Sequence, residues 1–135
     1  MNFPVDHIGI AVPNLEEAIA QYKKNFGFDL DVREVVASQK VELAFLRTEN
    51  TLLELLTPTS DDSTLSKFLS TRGAGLHHIC YRVPNIVSEL KRLEGLGLQL
   101  IDKTPRPGAH NSLIAFIHPR STGGVLTELC ERRHT

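Results

Sequence analysis

Asp6-His7-Ile8-Gly9-Ile10-Ala11-Val12-Pro13-Asn14 returns 71 residues later as His77-His78-Ile79-Cys80-Tyr81-Arg82-Val83-Pro84-Asn85, with five of nine positions identical. One long period is the mark of a duplicated unit, since a solenoid needs three or more short repeats. In the first copy Ile8, Ile10 and Val12 alternate with His7, Gly9 and Ala11, the period-two pattern of a strand. The histidine therefore lies opposite the large aliphatic side chains. In the second copy Ile79, Tyr81 and Val83 oppose His78, Cys80 and Arg82 in the same way.

Outward from each copy the pattern changes period. Pro13-Asn14 breaks the strand, and Asn14 suits a helix N-cap. Leu15, Ala18, Ile19, Tyr22 and Phe26 follow at helical spacing until Gly27. Pro84-Asn85 opens an equivalent helix through Ile86, Leu90, Leu93 and Leu96, ending at Gly95 or Gly97. Strand-like runs then occupy 41–47 and 51–57 in the first half, and 98–103, 112–118 and 125–130 in the second. The expected order is βαβββ twice, an α+β architecture whose two modules, about 4–58 and 75–132, share a cleft. A connector over 59–74, with a short helix carrying Leu65, Phe68 and Leu69, makes 1–135 a single domain.

A second element is duplicated along with the histidine. Glu54 lies 47 residues after His7, and Glu128 lies 50 after His78. Glu54 sits within Leu52-Leu53-Glu54-Leu55-Leu56, and Glu128 within Val125-Leu126-Thr127-Glu128-Leu129-Cys130. A carboxylate in such a run carries a large burial cost unless a cation meets it. Two imidazoles and two carboxylates suit one divalent ion, Zn, Co, Ni or Mn, and do not choose among them.

With 15 basic and 16 acidic residues, the chain gives no electrostatic reason to expect a nucleic-acid partner or an anionic membrane surface. No apolar run approaches the ~20 residues that cross a bilayer. Cys80 and Cys130 stand singly in apolar strands without CxxC spacing. Together with an N-terminal stretch unlike a signal peptide, they lead us to expect a reduced, cytoplasmic protein in which they are small buried hydrophobes.

These residues resemble the vicinal oxygen chelate superfamily of glyoxalases, bleomycin-resistance proteins and extradiol dioxygenases. The stretches 6–19, 50–58, 73–86 and 103–132 are most similar to its methylmalonyl-CoA epimerases, above all the loop Pro105-Arg106-Pro107-Gly108-Ala109-His110 and the strand end Phe116-Ile117-His118-Pro119. The resemblance implies a glyoxalase-like fold, His7, Glu54, His78 and Glu128 as metal ligands, and a homodimer. It also implies 1,1-proton transfer through a metal-stabilised enolate of an acyl-CoA thioester, with Glu128 as one acid/base group. For the second group the family pattern has an acid before Gln39, where this chain has Ser38. Glu34 or Glu42 could serve instead, or a water held by Ser38, or the chemistry is not epimerisation. Another superfamily isomerase or dioxygenase and a metabolite-sequestering protein are the alternatives. Ser38, Gln39 and His110 are candidate substrate contacts. His118 is expected to end a strand, and Arg82 to meet either substrate or an acidic neighbour.

Overall fold

The computed structural model describes residues 2–133. The chain forms two compact units, one from His7 to His77 and one combining the residues up to Asp6 with those from His78 onward.

In the His7–His77 unit, β1 (Val5–Ala11) leads to α1 (Leu15–Phe26), then β2 (Asp29–Val36), β3 (Val41–Arg47), β4 (Leu52–Pro58) and α2 (Thr64–Arg72). Strands β2, β3 and β4 form an antiparallel series, and β1 joins it parallel to β4. Parallel pairing demands a crossover, which α1 supplies together with the β2–β3 hairpin. Asn14 starts α1 as the sequence predicts: its Oδ1 accepts the Glu17 N–H at 3.0 Å. Gly27 ends the helix in the left-handed region at φ 75°. The helix lays Leu15 and Ala18 on Val12, Ala44, Leu46 and Leu55, with Ile10 and Ile19 at the margin. The aliphatic side of β1 is therefore the helix-packed side, and His7 is left on the other.

The second unit repeats the plan with β5 (Gly75–Arg82), α3 (Ile86–Gly95), β6 (Arg106–Gly108), β7 (Ser112–Ile117) and β8 (Thr127–Arg132). Strand β5 pairs parallel with β8, and β7 lies antiparallel between β8 and β6. Val83, Ile86, Leu90, Ala115, Ile117 and Leu129 form its helix-packed core. Each half is thus βαβββ, and the fold is α+β of glyoxalase-like type.

One predicted strand is displaced. The run 98–103 makes only an isolated bridge, Leu100 to Ile117, while the pairing strand is Arg106–Gly108. The cause is local. The N–H groups of Ile101 and Asp102 both donate to the Phe116 carbonyl, and the Asp102 side chain accepts the Phe116 N–H at 2.9 Å. A carboxylate thus replaces the backbone acceptor that a ladder would need next.

Helix α3 is anchored at its start by two side chains. Asn85 Oδ1 accepts the Ser88 N–H at 3.0 Å, and Glu131 Oε1 accepts the Ile86 N–H at 2.9 Å. Both satisfy amides that a helix leaves unpaired. Replacing Asn85 with alanine is expected to lower stability by about 1 kcal/mol in urea unfolding. An unchanged midpoint would mean that the asparagine cap contributes nothing beyond Glu131. No helix among the described residues is long and apolar enough to cross a membrane.

Candidate metal and proton-transfer site

The register between strands decides what each His7-type position faces. In the first unit Gly9 of β1 pairs with Glu54 of β4, so the glutamate falls opposite the residue two beyond His7. In the second unit Cys80 of β5 pairs with Glu128 of β8, again two beyond His78. Residues two apart on a strand share a face, so each histidine and its glutamate emerge side by side. His7 Nε2 lies 3.5 Å from Glu54 Oε1, and His78 Nε2 lies 3.1 Å from Glu128 Oε1. All four side chains are buried, between 4 and 6% exposed.

An aromatic side chain completes each pair. Phe45 of β3 is the register partner of Glu54, and its ring meets the His7 imidazole edge-to-face with centroids 5.3 Å apart. Phe116 of β7 is the partner of Glu128 and meets His78 likewise at 5.7 Å. These phenyl rings exclude water from one side of each imidazole and limit its rotation. Sequence reasoning missed both. Their signal is an aromatic residue one hairpin upstream of each glutamate, readable only once the hairpin register is known.

The chemistry of the donors fits a divalent cation. Each pair offers one imidazole nitrogen and one carboxylate oxygen in a buried position. Carboxylates taken out of water beside apolar rings are stabilised by a positive charge, and neutral imidazole supplies a borderline ligand for the same ion.

The other sequence candidates fall in different places. Ser38 is exposed in the short 3-10 turn Ala37–Gln39 that ends β2, and Gln39 is half-buried beside it. His110 is exposed at the β6–β7 turn, where it and Asn111 both adopt positive φ, 57° and 55°. His118 ends its segment as expected and caps the following turn, its Nδ1 accepting the Arg120 N–H at 3.0 Å. Arg82 meets an acidic neighbour: its Nη1 is 3.7 Å from Asp6 Oδ2. Asp6, also buried, is held more firmly by Arg132, which donates through Nε and Nη2 at 2.8 and 2.7 Å. That fork spans 126 residues of chain and nothing in the sequence announced it. The Asp6 carboxylate, through the same hydrogen bond, raises the Arg132 pKa above its ordinary value.

Glu42 and Glu34 occupy opposite faces of their hairpin. Glu42 alternates with Phe45, on the side of Ala44 and Leu46 that packs against α1, and it accepts from Arg33 Nε at 3.0 Å. Arg33 also binds Glu16 of α1. Glu34 is the register partner of Leu43, and Val32 and Val36 those of Phe45 and Val41. Directly paired residues of antiparallel strands share a face. Half-buried Glu34 therefore stands on the same face as Phe45, His7 and Glu54.

Cys80 and Cys130 are free and buried, as expected. Burial first, then hydrogen bonding to Cys130 and the charge of Glu128, hold the Cys80 thiol well above its usual pKa, so it stays protonated and inert.

A model of the glyoxalase/bleomycin resistance protein/dioxygenase superfamily matches residues 6–116. The chain belongs to that superfamily. Within it, the chain is 43% identical to the uncharacterized protein YqjC of Bacillus subtilis, over 94% of this chain and 91% of the relative. It is 40% identical to the mitochondrial methylmalonyl-CoA epimerase of Dictyostelium discoideum, over 95% and 78%. A solved methylmalonyl-CoA epimerase in complex with methylmalonyl-CoA and ammonium superposes with a TM-score of 0.92 at 33% identity, covering 98% of this chain and 96% of that one. The superfamily match spans β1 through β7 and so covers His7, Glu54 and His78. Glu128 lies beyond it, within the span that the solved epimerase covers.

Proposed function

We propose that this chain is a metal-dependent epimerase acting at the α-carbon of a malonyl-type coenzyme A thioester, with methylmalonyl-CoA as substrate. The observation that carries the reading is the pair of His–Glu couples built in identical register, His7 with Glu54 and His78 with Glu128, in a chain whose relatives include methylmalonyl-CoA epimerases.

His7 with Glu54 and His78 with Glu128 are the side chains that would hold a divalent ion. When bound, that ion supplies Lewis-acid polarisation of the thioester carbonyl and stabilises the negative charge that grows there as the α-proton leaves. The remaining work belongs to the protein. Epimerisation at a planar centre needs one proton-transfer group on each face. Glu128 serves one face through its carboxylate. Glu34 serves the other: of the three sequence candidates it is the carboxylate on the face that carries Phe45, His7 and Glu54, whereas Glu42 is committed to Arg33 on the helix side and exposed Ser38 has no acidity of its own. Ser38, Gln39 and His110 remain candidate contacts for the substrate's polar arm, in keeping with their positions at turns. Pairing of two copies belongs to the proposal on the resemblance, and a cytoplasmic location on the two unpaired, buried thiols.

The test is hydrogen exchange. Protein loaded in turn with Co, Zn, Ni and Mn and incubated with one epimer of methylmalonyl-CoA in D₂O should form the other epimer with deuterium at the α-carbon. Chelation should abolish both inversion and exchange, and added metal should restore them. Exchange no faster than in the chelated control with every metal would refute the reading.

A further inference from the structure

We propose that Arg106 is the residue that recognises an oxyanion of the acyl-CoA substrate. This rests on the acyl-CoA reading above and adds to it a group that the four ligands and two carboxylates do not supply.

Arg106 begins β6, where its register partner is Ile114 of β7. Ile114 in turn pairs with Cys130, and Phe116, two residues further along β7, pairs with Glu128. Arg106 therefore shares the face of the unit that carries Phe116, Glu128 and His78. Its guanidinium carbon lies over the Phe116 ring, 5.8 Å from the centroid. The same ring meets the His78 imidazole edge-on. A fixed positive charge thus stands one phenyl ring away from a proposed ligand.

That charge is positioned, and its hydrogen-bonding capacity is not used up. Asp102 is tied to the sheet by accepting the Phe116 N–H, and its other oxygen lies 3.4 Å from Arg106 Nε. The geometry there is an ion pair without a hydrogen bond: Nε is buried and has no hydrogen-bond partner among the described residues. The side chain is 41% exposed, against 18% for Asp102, so the outer edge of the guanidinium is open to a ligand. Its five N–H groups in a planar fork match a carboxylate or a phosphate. Asp102 and Phe116 fix the fork's direction, which reduces the ordering cost when an anion arrives. A purely structural Arg106 would be expected to hydrogen-bond Asp102 fully, as Arg132 does Asp6.

A carboxylate on the acyl group and a phosphate of coenzyme A are both oxyanions that this fork accepts, and the experiment separates them. Arg106→Met keeps the apolar stem over Phe116 and removes the charge. It should raise KM for methylmalonyl-CoA about tenfold or more with kcat within a few-fold, as loss of a charge-assisted contact made equally in ground and transition states requires. Arg106→Lys should recover part of the loss. With methylmalonyl-pantetheine, which has no phosphates, a persisting rise assigns the acyl carboxylate, and a vanished rise assigns the phosphates. KM unchanged for both substrates, or kcat alone reduced, overturns the proposal. Should the wild type catalyse no inversion, the epimerase reading fails by itself. Calorimetric affinity for 2-nitronate-propionyl-CoA, wild type against Arg106→Met, then decides Arg106 independently: equal affinities overturn it.

Discussion

Glu128→Gln is expected to reduce epimerisation by about a hundredfold to ten-thousandfold at saturating metal, the range that removing a general base produces. The substitution changes chemistry and little else. Glu128 is 5% exposed, with Cys80 and Phe116 as its register partners. An amide has nearly the shape of the carboxylate, so packing is kept. What disappears is a negative charge beside His78 Nε2 and the ability to take a proton. The same change removes one anionic ligand, so metal content should fall as well. Glu54→Gln separates the two effects. It also loses an anionic ligand, but Glu54 carries no proton in the proposed reaction. Its metal affinity should fall while proton transfer at saturating metal stays within tenfold of the wild type. Metal content by elemental analysis and inversion rates at increasing metal read the two axes. If Glu128→Gln recovers full turnover once metal is saturating, Glu128 is a ligand only and the proton-transfer assignment is wrong.

The parts of this architecture that could be read from the chain are those that the duplication wrote twice. His7 and His78 stand at equal positions in matching strands, and the aliphatic alternation around them already separates the helix-packed side from the other. Ile10 and Val12, and their counterparts Tyr81 and Val83, do lie against α1 and α3. The caps Asn14 and Asn85 were readable for a similar reason, because capping is decided within three or four residues of chain. Glu54 and Glu128 were readable because a charge inside an aliphatic run is costly anywhere it is buried.

What escaped depends on pairing between distant segments. Phe45 and Phe116 are ordinary apolar strand residues until register sets each beside a glutamate. The Asp6–Arg132 fork joins the two ends of the chain and has no local signature. Strand β2 hid behind charge: Asp29, Asp31 and Arg33 break the aliphatic pattern because this edge strand spends them in ion pairs with α1 and β3. Strand β6 was misplaced for the opposite reason. Leu98 and Leu100 are apolar because they pack on the α3 core, and that burial mimics a strand without requiring one.

Register also supplies the second large prediction. Glu34→Gln is expected to separate exchange from inversion. With Glu128 intact, one epimer still delivers its α-proton to that carboxylate, which equilibrates with solvent and returns deuterium to the same face. Such an enzyme exchanges one epimer with retention and inverts neither, so inversion should fall by about a hundredfold or more while exchange from one epimer persists. Glu42→Gln removes the negative charge that pairs with Arg33 on the helix side and should leave inversion within a few-fold of the wild type. Ser38→Ala should do the same if no water on that hydroxyl relays a proton. The measurement is ¹H NMR of the α-position in D₂O, started from each epimer separately, with chiral analysis of the product. Full inversion by Glu34→Gln removes Glu34 from the mechanism, and a large loss on Ser38→Ala would move the second proton to a water held at the end of β2. Both outcomes are informative because Glu34 and Ser38 lie on one strand and its turn, four residues apart. The register of β2 and β3 favours Glu34: it stands beside Leu43, on the face where Phe45 meets the ring of His7.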